Sequence, residues 1–252
     1  MLKSINVSAF ADPVLDEIVS GKSNLEKSIL LDLCANAAGP TLEIGCGYGR
    51  ITIPLAERGF ELVGVELCGP SIAAARQKGS HLPIEWMEGD ARSFQLGRQF
   101  SFVFARGDVF DFMLTRPDQE AMLARVSEHL AADGIFAFDI GAHQLQNMVN
   151  QGDTEWFTLT DPQGRQICAG GATRFDYDRQ LWFQHGWYRL GDAKGELLSE
   201  PWELILRYNF PQAVETVLYY NGFEVIERYT DWFGTPPTAD EGASVFVCRR
   251  TK

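Results

Sequence analysis

Three glycines alternate with other residues in Thr41-Leu42-Glu43-Ile44-Gly45-Cys46-Gly47-Tyr48-Gly49-Arg50, directly after a short apolar stretch. Glycines where a strand turns into a helix keep the turn tight and let a ligand come close to the main chain. A dinucleotide would ask for G-x-G-x-x-G, with its pyrophosphate on the helix N-terminus. Here the spacing is G-x-G-x-G and position 50 is arginine, which favours a nucleoside ligand without a pyrophosphate. Two acids extend the pattern. Glu66 follows the loop by about twenty residues, where a carboxylate accepts ribose hydroxyls. Asp90, in Glu88-Gly89-Asp90-Ala91, is placed to accept from an adenine amino group.

A second group of candidates follows the next strand, in Arg106-Gly107-Asp108-Val109-Phe110-Asp111. Ligands of open α/β sheets bind beyond the carboxyl ends of the strands, so these residues are expected to face a substrate. Asp108 ranks first as general base or acceptor for an amine or hydroxyl, Asp111 second, with Arg106 beside them. Asp139 ends the following strand and is a further candidate, and His143 and His185 are weaker alternative bases. The histidines show no metal-ligand spacing with one another or with the cysteines. No metal is expected.

The elements that must position these residues alternate. A helical pattern runs from Asp12 to about Ala38, with Leu25, Ile29 and Leu33 four apart. Strands are expected at 41–44, 61–65, 84–87, 100–105 and 135–138, with helices at 51–58, from Pro70 to Gly79, and after Pro117. Such alternation implies a parallel, doubly wound sheet. Beyond Asn150 the texture becomes β-rich, at 156–160, 166–175, 181–190 and 197–210, with connections too short for parallel crossovers. Antiparallel hairpins are expected there. A helix from Pro211 to Asn221-Gly222 and strands at 223–229 and 244–249 complete the chain. Residues 1–150 and 211–252 thus read as one nucleoside-binding α/β domain, and 151–210 as an antiparallel insertion. Its aromatics are expected to be the packed face of a sheet; the alternatives are that the insertion roofs the site and presents Tyr188, Arg207 or Tyr208 to a small substrate, or, through its open edge, mediates a homodimer.

The run 42–50, Val63-Gly64-Val65-Glu66-Leu67, Glu88-Gly89-Asp90-Ala91 and Leu130-Ala131-Ala132-Asp133-Gly134 together resemble the successive motifs of class I S-adenosylmethionine (SAM)-dependent methyltransferases. Asn221-Gly222-Phe223 and the last strand resemble that family's C-terminal hairpin, which implies a Rossmann-like seven-stranded sheet of order 3-2-1-4-5-7-6. The resemblance implies SAM as cofactor and S-adenosylhomocysteine as product. It assigns cofactor contacts to Gly45, Cys46, Gly47 and Gly49, Glu43 at the loop and methionine amino group, Arg50 at the carboxylate, Glu66 and Leu67 at the ribose, Asp90 and Ala91 at adenine, and Ala105 at the end of the fourth strand. It also implies methyl transfer to N or O of a small molecule by in-line displacement. One departure is that the fourth strand begins Phe100-Ser101 where the family often has Phe-Asp.

The chain has 252 residues, a formal charge of −12 and 45% hydrophobic residues. That balance repels phosphate backbones and anionic membrane surfaces, so neither nucleic acid nor membrane is an expected partner. Five scattered cysteines without a C-x-x-C pair and no apolar run of membrane-spanning length favour a cytoplasmic protein with reduced thiols. Two alternatives stay open at this level: an NAD(P)-dependent oxidoreductase, which shares a glycine loop and an acid after the second strand, and a non-catalytic SAM-binding module.

Overall fold

The computed structural model describes residues 6–21, 25–141, 148–238, 242 and 244–251. In chain order the strands are β1 (Thr41–Ile44), β2 (Leu62–Glu66), β3 (Glu85–Glu88), β4 (Phe100–Ala105) and β5 (Leu130–Asp139). Then come β6 (Gln151–Thr160), β7 (Gln166–Asp176), β8 (Leu181–Leu190), β9 (Trp202–Arg207), β10 (Phe223–Tyr229) and β11 (Val245–Arg250). Helices α1 (Pro13–Ser20) and α2 (Ile29–Ala37) precede β1. Helices α3 (Thr52–Ala56), α4 (Gly69–Lys78) and α5 (Arg116–His129) lie between the parallel strands, and α6 (Pro211–Tyr220) leads into β10.

Strands β1, β2 and β4 are buried on both faces along nearly all their length, as parallel strands covered by helices on both sides must be. The sheet order is β3-β2-β1-β4-β5-β11-β10, with β11 antiparallel to both β5 and β10. Counted without the strands of the second sheet, this is the expected 3-2-1-4-5-7-6. Side chains alternate across it with the two-residue period of a strand. Val103, Phe136 and Phe138 enter one core with Met122, Val126 and Leu218, while Phe102, Phe104 and Ala137 enter the other with Leu30, Leu55 and Val247. The second sheet, β6-β7-β8-β9, is antiparallel throughout.

Several boundaries differ from the sequence reading, three of them for identifiable reasons. The strand expected at 197–210 is confined to Trp202–Arg207: Pro201 has no N–H for the ladder, and Asn209 is drawn into a buried network instead. The strand expected from Trp156 begins at Gln151, because register shifts between Gln151 and Thr154 and between Glu155 and Phe157 break the alternation that reveals a strand. Helix α3 is shorter than expected, with Pro54 tolerated because it sits in the first turn, where no helical N–H is required.

The sheets are joined by polar and apolar contacts close to the C-terminal end of β4. A 3₁₀ turn, Val109–Phe112, follows β4. Its Asp111, fully buried, accepts from Asn209 Nδ2 at 2.6 Å and from the Gly141 amide at 2.8 Å. Asn209 Oδ1 in turn accepts from Gln119 Nε2 of α5 at 2.9 Å. Leu114 packs with Leu181 and Ile205 of the second sheet. Replacing Asn209 by Ala strips a donor from a buried carboxylate and an acceptor from a buried amide. We expect a loss of about 2–3 kcal/mol in urea denaturation; a loss below about 0.5 kcal/mol would show that the network is not a structural tie.

Candidate functional site

A cavity of about 320 Å³ opens beyond the C-terminal ends of β4, β1, β2 and β3. Its floor is the glycine loop after β1. Gly45 has φ +75°, and a Cβ there would stand 2.5 Å from Val109 Cγ2, so this position needs glycine for both conformation and packing. Gly47, at φ +54°, differs: a Cβ on it would meet nothing within 4 Å, because it borders the cavity. The backbone is therefore bare where a ligand would lie on it.

Acids fix the loops around this floor. Glu66 Oε2 accepts the Gly47 amide at 2.9 Å and Oε1 accepts the Cys68 amide at 2.7 Å, so one carboxylate ties the glycine loop to the start of α4. Burial pushes its pKa upward against these hydrogen bonds. Glu43, fully within β1, accepts the Thr52 hydroxyl. Asp90 is gripped by Arg92 through Nε at 2.8 Å and Nη2 at 2.7 Å, and Arg92 Nη1 reaches Asp118 at 2.7 Å. Asp118 also belongs to the capping box that starts α5, where it accepts from Thr115 N while Thr115 Oγ1 accepts from Asp118 N.

The structure brings most of the expected cofactor residues to this one cavity: Glu43, Gly45, Cys46, Gly47, Arg50, Glu66, Leu67, Asp90 and Ala91 all line it. Gly49 and Ala105 do not; Gly49 packs against Ile53, and Ala105 is fully buried in β4. Of the expected substrate-facing residues only Arg106 lines it. Asp108 stands between Gly107 and Val109, which do, in a left-handed conformation at the start of the 3₁₀ turn, with no side-chain cap bond. Asp111 is held in the network with Asn209. Asp139 accepts from the Gly107 and Asp108 amides at 2.9 and 3.0 Å and from Trp232 Nε1 at 2.7 Å.

No described residue of 151–210 lines the cavity. Tyr208 packs with Met148 and Phe175, Tyr188 stacks towards Trp202, and Arg207 bonds to Gln180 and the Leu114 carbonyl. His185 is exposed on β8, and His143 lies outside the described residues. The roof comes instead from the N-terminal segment, through Asn6, Val7, Phe10, Asp16 and Ser20. The Asn6 side chain donates to Ile205 O at 2.9 Å and accepts from Ile205 N at 2.7 Å, imitating a strand against the free edge of β9. Cys68 Sγ and Ser71 Oγ donate to Phe10 O at 3.3 and 3.0 Å. The roof thus spans from the first sheet's helix layer to the second sheet.

Sequence reasoning missed Asn6, Arg92, Asp118 and Trp232. Arg92 lies two residues from Asp90 and was reachable by local reading; Asn6 and Trp232 act across the fold and left no local signal. Among the described residues no cluster of three or more His, Cys, Asp or Glu could hold a metal, and no helix is long and apolar enough to cross a membrane.

Residues 41–134 match the family model of the methyltransferase domain. Over this stretch the chain is similar to a methyltransferase domain. A putative methyltransferase of Bacillus subtilis, YqeM, is 30% identical over 129 residues, which cover 50% of this chain and 52% of that protein; the chain therefore spans about half the length of this relative. The CcbJ methyltransferase of Streptomyces caelestis has a similar structure, with TM-score 0.80, 24% identity, and coverage of 96% of this chain and 98% of that one. SAM-bound CalS10, an amino pentose methyltransferase from Micromonospora echinaspora, superposes with TM-score 0.71 at 22% identity, over 92% and 93% of the two chains. At these identities the two structural likenesses establish the fold. The matched stretch holds the whole glycine loop, Glu66, Asp90 and Arg106, and ends before Asp139.

Within that stretch Glu43 is a strongly perturbed acid at the cavity. Burial drives its carboxyl up to about 8, opposed by the Thr52 hydroxyl and by Arg50 and Arg106. A carboxyl raised in the folded state keeps a proton that the unfolded chain has released, so stability falls as pH rises from its ordinary value, near 4.5, to about 8. Glu43→Gln removes this slope. Denaturation midpoints should shift in favour of the variant between about pH 5 and pH 8; parallel pH profiles would show that Glu43 is ionised in the fold across this range.

Proposed function

We propose that the chain is an SAM-dependent methyltransferase acting on a nitrogen or oxygen of a small molecule. The observation that carries this reading is the order of groups along one cavity. The strands stand β4-β1-β2-β3, so their loops set out Arg106, then Arg50 and the glycine loop, then Glu66, then Asp90 with Ala91. Four neighbouring strands span about 14 Å, the reach of an adenosine carrying an amino-acid tail. Amino-acid, ribose and base groups are each met by a suitable partner in that order.

The residues also fit the cofactor chemically. Glu66 retains lone pairs beyond its two amide bonds for ribose hydroxyls, and Gly47 leaves the backbone open beneath the nucleoside. When bound, SAM supplies a methyl on a cationic sulfur, a leaving group that needs no acid. What remains for the protein is to orient the acceptor, exclude water and take up a proton. Exclusion of water falls to the roof of Val7, Phe10 and Phe112, with Phe10 and Phe112 edge-to-face at 5.8 Å. For the proton, Asp108 remains the first candidate, because it stands between Gly107 and Val109, which line the cavity.

The small-molecule reading is supported by the amino pentose methyltransferase among the structural relatives and by the net charge of −12, which disfavours nucleic acid. The cysteines described as free thiols are all buried, which suits a reducing, cytoplasmic setting. Methyl incorporation from labelled SAM across small amines, amino sugars and phenols is the direct test of activity; labelling of none, with SAM bound, would favour a non-catalytic module. Calorimetry against S-adenosylhomocysteine and NAD(P) separates the oxidoreductase alternative. Glu66→Gln, which keeps one acceptor oxygen, should weaken S-adenosylhomocysteine by about 1–3 kcal/mol. Unchanged affinity would remove Glu66 from the site.

A further inference from the structure

Ile205 of β9 does not line the cavity, yet the roof and the wall after β4 are both anchored on it. It stands on the outer strand of the second sheet, and both of its main-chain groups meet Asn6: its amide donates to Asn6 Oδ1 at 2.7 Å and its carbonyl accepts from Asn6 Nδ2 at 2.9 Å. Its side chain packs with Leu181 and with Leu114, which lines the cavity. Wall and roof meet again where Phe112 and Phe10 stand edge-to-face at 5.8 Å. Asn6, Ile205, Leu114, Phe112 and Phe10 thus close a chain of contacts that fixes the gap between roof and wall.

The rest of the roof is held at points that can part singly. Phe10 O accepts from Cys68 Sγ and Ser71 Oγ. Glu17 pairs with Lys78 at 2.6 Å, but both side chains are exposed, and such a pair adds little in water. Helix α1 ends at Gly21, φ +63°, where a Cβ would meet nothing within 4 Å, so the backbone is free to turn there. A roof that keeps water from a ligand also bars its exit.

We propose that Asn6 is a latch: its paired bonds to the edge of β9 hold the N-terminal segment over the cavity, and their release sets the rate at which a bound nucleoside leaves. This rests on the cofactor reading above, in which that nucleoside is S-adenosylhomocysteine. Asn6 is in this respect a positioning residue, acting through Val7 and Phe10, and the second sheet takes part in ligand exchange without touching the ligand. A latch of this kind acts on dissociation more than on association.

The test measures S-adenosylhomocysteine dissociation by stopped flow for the full chain and for Asn6→Ala, Asn6→Asp and Ile205→Pro, with exchange of the Ile205 amide followed by NMR. Asn6→Asp keeps the size of the side chain but sets an oxygen against the Ile205 carbonyl. Ile205→Pro removes the N–H that Asn6 accepts, at an outer strand where proline is tolerated, and alters no residue of the cavity lining. All three variants should release S-adenosylhomocysteine about tenfold faster than the parent, with association changed by less than about threefold. The Ile205 amide should be protected in the parent, more so with ligand bound, and exposed in Asn6→Ala. Fast release from the Asn6 variants with parent-like release from Ile205→Pro would mean that Asn6 touches the ligand itself, and overturns the latch. Should Ile205→Pro fail to fold, the Ile205 amide decides: protection that does not rise with ligand, or that survives in Asn6→Ala, overturns it. Release within about twofold of the parent in every folded variant also overturns it and leaves the cofactor reading standing. Failure of the parent to bind S-adenosylhomocysteine removes the cofactor reading, and the latch on that ligand with it.

Discussion

The site depends on carboxylates at strand ends that accept main-chain N–H groups. Glu66 at the end of β2 takes the amides of Gly47 and Cys68, and Asp139 at the end of β5 takes those of Gly107 and Asp108. Loops that leave parallel strands carry N–H groups that no ladder satisfies. An acid at the strand end satisfies two at once and fixes the relation of neighbouring loops. The glycine loop keeps its open floor because Glu66 holds it from the side, and the loop after β4 keeps Arg106 at the cavity because Asp139 holds both its backbone and the Trp232 indole. A ligand then meets a preformed surface, with little ordering left to cost affinity.

The second sheet takes part in this arrangement indirectly. Its packed aromatics, Phe175, Trp182 and Tyr208 among them, stabilise the sheet and the junction with α6. Its link to the cavity runs through its edge, where the Asn6 amide stands in for a neighbouring strand, and through Leu114 against Leu181 and Ile205. An antiparallel sheet with a free edge is normally a liability. On the β9 side part of that edge is used to seat the N-terminal roof, while β6, at the opposite edge, pairs with no further strand among the described residues.

The sequence was most informative where physics acts locally. The strand runs at 41–44 and 100–105 are short and rich in apolar residues, and they appear where expected. Glu66 could be placed from its distance to the glycine loop and its place at the end of the second strand, and Asp90 from its place after the third, because a parallel sheet returns each strand end to the same edge. What could not be read was which acids are already engaged. Asp111 and Asp139 look like bases from position, yet their oxygens are taken by Asn209, Gly141, Trp232 and two loop amides, partners up to 98 residues away. The aromatics of 154–210 invited a lid, and alternation could not say which face they pack. The roof at Asn6 to Ser20 was hidden because a helical pattern reports amphipathicity and not what it covers.

A crystal structure of the full chain with S-adenosylhomocysteine tests the central claim most directly. The account predicts the nucleoside across the C-terminal ends of β1 and β2, its ribose hydroxyls on Glu66, its base beside Asp90 and Ala91, and its amino-acid end toward Arg50 and Arg106. Density for the nucleoside elsewhere on the fold, or with its base and amino-acid ends reversed along the cavity, would contradict it.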